Sequence, residues 1–171
     1  MKRTLFSIAA ILCASLVFFS CSKDNNTVVD AQALTTVFEV KNSDWQTSSV
    51  VSGYEVTFDM TEITASITDQ GAVWVYYSFD NGISYELAPS LQRTDASGNT
   101  FDFLGQAGTD NQGGYVVLTA LKYTGNSNQA PKFSNPNIVV KVVSIPSSLY
   151  QANKNVNKED FNEVKRVFNL K

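Results

Sequence analysis

Histidine is absent from all 171 residues. With it go the commonest zinc ligand, the usual general base near neutral pH and any Ser-His-Asp constellation. Cysteine is almost absent. The only two, Cys13 and Cys21, lie near the start of the chain. Everything after Cys21 therefore lacks a disulfide, a thiol nucleophile and Fe–S ligation. Excess positive charge is missing too, with 13 Lys and Arg against 16 Asp and Glu. A nucleic-acid partner would need a basic patch to displace counterions, and none is expected here. Long apolar runs are also lacking. The longest, Leu5 to Phe19, is about 15 residues where roughly 20 are needed to span a bilayer. What remains is carboxylate chemistry, oxygen-ligated calcium or magnesium, and plain binding. No cofactor is implied.

The first residues carry an address. Lys2 and Arg3 precede the apolar run, Ser20-Cys21-Ser22 follows it, and the polar Lys23-Asp24-Asn25-Asn26 comes next. That order predicts an export signal cut before Cys21. An ordinary secretory signal with an incidental cysteine would share most of it. Leu16-Val17-Phe18-Phe19-Ser20-Cys21 resembles the lipobox of bacterial lipoproteins, with Phe18 where Leu is usual. The resemblance implies a diacylglycerol thioether on Cys21 and, after cleavage, acylation of its amino group by palmitate-type chains. Several chains, at about 0.8 kcal/mol per buried CH2, anchor far better than one. The polar run after Cys21 resembles the surface-export signal of Bacteroidota lipoproteins, with Asn25 and Asn26 in place of acids. The expected organisation is a leader over 1–20, a lipidated cysteine and flexible tether over 21–33, and a folded domain over 34–171. Loss of Lys2 and Arg3 leaves 11 basic against 16 acidic residues, a net charge of about −5 that suits a soluble exported domain.

Beyond the tether the period is two. Leu34, Thr36, Phe38 and Val40 alternate with Thr35, Val37, Glu39 and Lys41, and Tyr54, Val56, Phe58 and Met60 alternate with Glu55, Thr57 and Asp59. Both read as half-buried strands. Ala72–Phe79 and Ile138–Ile145 are apolar on both faces and read as central strands. Asp80-Asn81-Gly82 is a tight-turn signal, with Ile83–Leu87 returning as partner strand and Pro89 ending it. Thr61–Gln70 fits either a helical turn or an extended crossing. Thr94–Asn99 reads as a turn, Phe101–Phe103 as a strand, Gly105–Gly114 as a loop, Tyr115–Tyr123 as a strand and Asn126–Asn137 as a connection. Asn157, with Asp160 three residues on, gives an N-cap signal. Phe161, Val164, Val167 and Phe168 then recur at helical spacing, which predicts one short amphipathic helix over about 158–169. The fold class expected is all-β, an antiparallel sandwich of seven to eight strands with one short C-terminal helix.

Four sets of residues are candidates for chemistry. Ser78-Phe79-Asp80-Asn81-Gly82-Ile83-Ser84-Tyr85 resembles the Asp-box of sialidase-type propellers, with Ser84 for Thr and Tyr85 for Trp. The resemblance implies a turn staple built by Ser78, Asp80 and Gly82, not a catalytic acid. One copy cannot make a propeller. Glu55, Asp59, Glu62 and Glu86 lie near strand ends, where two facing carboxylates would suit glycoside hydrolysis. Asp95, Ser97 and Asn99 flank Gly98 as in a calcium loop, but Gln106 stands where a bidentate Glu belongs, so turn chemistry accounts for them and no metal site is expected. Trp45, Trp74, Tyr76, Tyr77 and Tyr85 are candidate ligand-binding residues, as a stacking platform for sugar rings. Alternation puts Tyr76 and Trp74 opposite Tyr77, so one set belongs to the core.

The chain beyond Cys21 is similar to small Bacteroidota lipoproteins of unassigned function. The likeness rests on Asn42 to Trp45, the strand from Gly71 to Tyr76, the stretch Val143-Ser144-Ile145-Pro146 and the terminal helix. It implies location and fold and brings no activity. The expectation is an envelope-anchored, non-enzymatic binding or structural accessory domain, held to the membrane through Cys21, with a glycan or envelope protein as partner. The alternative is a carbohydrate-active protein that binds glycans or hydrolyses them with carboxylates.

Overall fold

The structure, a computed structural model, describes residues 32–89, 91–124, 129–134 and 137–171. The leader, the lipobox, Cys21 and the tether up to Ala31 lie outside the described residues. Of the expected tether, Ala33 is buried and belongs to the folded domain. Among the described residues no helix is long and apolar enough to cross a membrane.

Nine strands and three short helices follow one another among the described residues. They are β1 (Leu34–Lys41), β2 (Gln46–Thr47), β3 (Gly53–Asp59), α1 (Ala65–Gln70), β4 (Ala72–Ser78), β5 (Glu86–Leu87) and β6 (Leu91–Thr94), then β7 (Thr100–Thr109), β8 (Gly114–Thr124), β9 (Asn137–Ile145), α2 (Ser147–Ala152) and α3 (Phe161–Val167). All pairings are antiparallel. One sheet has the order β1-β9-β4-β5 and the other β2-β3-β8-β7-β6. The expected all-β antiparallel sandwich is the fold, with nine strands in place of seven or eight and three short helices in place of one among the described residues.

The two sheets meet through residues that alternate along each strand. Val75 and Tyr77 of β4 and Ile138, Val140 and Val142 of β9 face Tyr54 and Val56 of β3, Phe101 and Phe103 of β7, and Val116, Leu118 and Ala120 of β8. The first sheet is buried on its other face as well. There Tyr76, Val143 and Ile145 lie with Val164, Phe168 and Leu170 of the C-terminal segment, and Trp74 packs against this group. Burial on both faces explains why β9 is apolar almost throughout and sits between β1 and β4.

α3 begins later than the sequence pattern indicates. Asp160, not Asn157, is the N-cap, and its carboxylate accepts from the N–H groups of Asn162 and Glu163 at 2.9 and 3.3 Å. Asn157 instead accepts from Glu159 N–H in the preceding turn. Glu163 in the first turn and Lys165 and Arg166 in the last complement the helix dipole. α2 is an element the periodicity did not signal. It follows Pro146, which stops β9 and stands as the N-cap of the helix, its carbonyl accepting from Tyr150 N–H at 3.0 Å.

Two further differences concern glycine and turn residues. Gly105–Thr109, expected as loop, completes β7 through the pairs Gly105↔Leu118 to Thr109↔Gly114. Glycine is needed there for close approach rather than for turning. A Cβ on Gly105 would lie 2.5 Å from the Val75 Cβ across the sandwich, and one on Gly108 would lie 2.6 Å from the Tyr115 phenol. The expected strand Ile83–Leu87 is only Glu86–Leu87, because Ile83 and Ser84 are held in the turn by Asp80.

Candidate functional site on the open sheet face

The Asp80 motif is a staple. Asn81 and Gly82 both have positive φ, 63° and 85°, the pairing that a tight hairpin turn requires. The Asp80 carboxylate accepts from the Ser78 hydroxyl at 2.6 Å, the Ser84 hydroxyl at 2.5 Å and the N–H groups of Ile83 and Ser84 at 3.1 and 2.9 Å. Gly82 N–H donates to the Ser78 oxygen at 2.7 Å. These donors hold the carboxyl well below the usual carboxylate range, the Ser78 hydroxyl most and the Ser84 hydroxyl next. Every strong acceptor direction is spent on the hairpin, so Asp80 has none to offer a substrate.

Tyr85 closes this motif onto the third layer. Its ring lies 5.2 Å from that of Phe161, and the Lys141 ammonium sits over both rings, at 3.9 and 4.6 Å. Partial burial, with Lys165 nearby, lowers the Lys141 pKa, while burial and the Asp80 charge raise that of Tyr85. The other aromatic candidates are structural. Trp45, Tyr76 and Tyr77 are buried, and Trp74 packs edge-on against Phe168 and Tyr150. Tyr76 donates to the Lys158 carbonyl at 2.7 Å and Tyr77 to that of Leu104 at 2.5 Å. Packing leaves Trp45, Tyr76 and Tyr77 no free face for a stacked ligand, while Trp74 and Tyr85 are partly buried.

The carboxylate candidates are dispersed. Glu62 accepts from Thr36 of β1, and Glu86 pairs with Arg93. Glu55 and Asp59 share the outward face of β3, but four residue steps along the strand separate them by roughly 13 Å of backbone, more than either hydrolytic geometry uses. Asp95 accepts from the N–H groups of Ser97, Asn99 and Lys132 at 2.9, 2.9 and 3.2 Å. It thus ties the β6–β7 turn to the crossing segment. Among the described residues no group of three or more acids could hold a metal.

What the structure adds is a cleft on the outward face of the second sheet. α2 and α3 pack on the first sheet, and among the described residues no layer covers this face. The cleft has a volume of about 490 Å³ and is lined by Thr57, Asp59, Thr61, Asp110, Gln112 and Tyr115, among others. Register assembles it. Thr57 faces Val117 and Asp59 faces Tyr115 across β3 and β8, and Tyr115 faces Gly108 across β8 and β7. With no side chain beneath it, the end of the Tyr115 ring lies over Gly108 and remains half-buried. Asp110 builds the neighbouring turn by accepting from Gln112 and Gly113 N–H at 2.8 and 3.2 Å. β3 ends beside it, where Met60 N–H donates to the Gly114 carbonyl at 2.8 Å. Asp59 was in view from the sequence as an outward acid. Tyr115 and Gln112 were not, although a glycine seven residues before an aromatic, with Asp110 and Gly113 between, is the pattern of a hairpin with a cross-strand Gly–Tyr pair. Comparison with known proteins returned no matching family model, no similar curated protein and no similar solved structure.

Proposed function

We propose that this chain is a lipoprotein of the bacterial envelope whose folded part is a non-enzymatic binding or accessory domain. The observation that carries the reading is the run Leu16 to Cys21, a lipobox-like end to a leader that begins with Lys2 and Arg3. The lipid on Cys21 holds the domain at the outer membrane, facing the cell surface, and the polar stretch before β1 serves as its tether. The sandwich supports the binding part of the reading. One sheet is covered by helices, while among the described residues the other presents an open face with a cleft that carries polar groups. The four acids weighed for hydrolysis do not converge, so binding accounts for the domain better than glycoside cleavage does.

Intact mass measurement of protein extracted from membranes tests the anchor. The expected mass is that of a chain starting at Cys21 with three acyl groups, and Cys21→Ser should retain the leader and incorporate no labelled palmitate. An unmodified Cys21 with the leader still attached would overturn the assignment. Protease treatment of intact cells tests surface exposure, with loss of the domain expected and full protection refuting it.

A further inference from the structure

The cleft on the open face has a chemistry of its own. Its lining holds two carboxylates, two threonine hydroxyls, one primary amide and one half-buried phenol ring, from Asp59, Asp110, Thr57, Thr61, Gln112 and Tyr115. Among the described residues no lysine or arginine lines it. An anion would meet two like charges and no cation, which rules against phosphates, sulfates and acidic sugars. A cation would satisfy the aspartates and the ring but leave Thr57, Thr61 and Gln112 without a role. A neutral polyhydroxylated ring uses every group. Its hydroxyls donate to carboxylates and accept from the amide and hydroxyls, and its C–H face lies against the tyrosine. The volume, about 490 Å³, falls within the range of small-ligand sites.

We propose that the Thr57–Asp59–Tyr115 cleft is a binding site for neutral oligosaccharides. Tyr115 is the platform, set over the sheet by the missing side chain at Gly108. Asp59, exposed at the end of β3, takes ring hydroxyls, and Gln112 on the hairpin donates from the other side. The inference rests on the reading of the domain as a binding module and is independent of the lipid on Cys21.

Isothermal titration of the full chain in detergent micelles tests it, with cellotetraose, maltotetraose, mannotetraose and chitotetraose as neutral probes and spermidine as the cationic one. At least one tetrasaccharide should bind. Asp59→Asn should weaken it by about tenfold, the factor that accompanies loss of a charge-assisted hydrogen bond. Thr57→Arg, an exposed substitution that fills the cleft, should weaken it at least as much. Tyr115→Phe should bind within about threefold of the parent, because the ring surface is kept. Thermal midpoints of the two β3 variants should match the parent, which separates loss of binding from loss of fold. Binding of spermidine with no saccharide would overturn the sugar assignment and leave a binding module. Saccharide binding indifferent to Thr57→Arg would place the site elsewhere and overturn the proposal. Silence from all five probes would overturn the assignment of the cleft to neutral oligosaccharides, while the envelope reading would still stand or fall on the mass of the Cys21 form.

Discussion

Gly105→Ala probes how hard the two sheets press on one another. Gly105 stands on β7 with its Cα toward β4. An added Cβ would lie 2.5, 2.6 and 2.7 Å from the Val75 Cβ, Cγ1 and Cγ2. Ordinary carbon contacts fall at about 3.5–4.0 Å, so the overlap is about 1 Å. Rotating Val75 does not relieve it, because all three of its outer atoms are near, and Val75 is itself buried. Relief requires the strands to part. Overpacking of this kind costs about 1–3 kcal/mol. Replacing glycine returns roughly 0.4–1 kcal/mol through the unfolded chain. The expected result is a net loss of about 1–2 kcal/mol out of a typical total near 5–15, read as a lower urea midpoint with unchanged slope. For a domain of this size it corresponds to a fall of about 4–8 °C in Tm. Val75→Gly removes all three of these atoms and makes room for the new methyl. The double variant should therefore be more stable than the two single losses predict, with a coupling of at least about 1 kcal/mol. A neutral or stabilising Gly105→Ala, or strict additivity with Val75→Gly, would refute the contact between β7 and β4.

Gly108→Ala, three residues along the same strand, meets only the end of the Tyr115 side chain, so stability should change by less than about 1 kcal/mol while the ring moves and tetrasaccharide binding falls; unaltered binding would dissociate Tyr115 from the site. Tyr77 is fully buried, and burial raises its pKa strongly, so the folded state keeps a proton that the unfolded chain gives up above pH about 10. Its contribution is intact below that pH and is lost as pH rises beyond it, by up to about 1.4 kcal/mol per pH unit; urea midpoints between pH 8 and 11 should fall less steeply in Tyr77→Phe. Asp80 has the opposite sign, because its lowered pKa supplies stability above the unfolded value near about 3.9 that disappears as pH falls below it. Asp80→Asn should flatten the thermal midpoint between pH 5 and 3, and an unchanged acid limb would count against the staple. Phe168→Ala removes a ring buried against Trp74 at 5.8 Å and should cost about 3–5 kcal/mol, whereas a loss below 1 in a urea titration would detach the C-terminal layer from β4.

Much of the sandwich was legible because alternation is a direct record of two environments. β1 and β3 could be read this way, and the runs apolar on both faces announced β4 and β9 as central. The Asp80 staple was legible for a different reason, since its hydrogen bonds all fall within seven residues. What escaped depended on partners distant in sequence. Gly105 and Gly108 look like loop residues until Val75 and Tyr115 are set beside them, and without β7 in place the cleft has no floor. Tyr76 and Tyr77 looked like a ligand platform because composition cannot tell a buried aromatic from an exposed one. α2 was hidden by Pro146, which reads equally well as the end of a strand and as the start of a helix.

The unequal treatment of the two sheets has a bearing on how the chain tolerates change. Thr57, Asp59, Gln92 and Gln106 are exposed on the uncovered side and hold no third layer in place. Libraries randomised at these four positions should yield a high share of soluble, well-folded variants, whereas the same diversity at Trp74, Tyr76 or Val143 should yield few. The sandwich in this sense offers one writable surface, on which new specificities can arise while the architecture beneath stays constant.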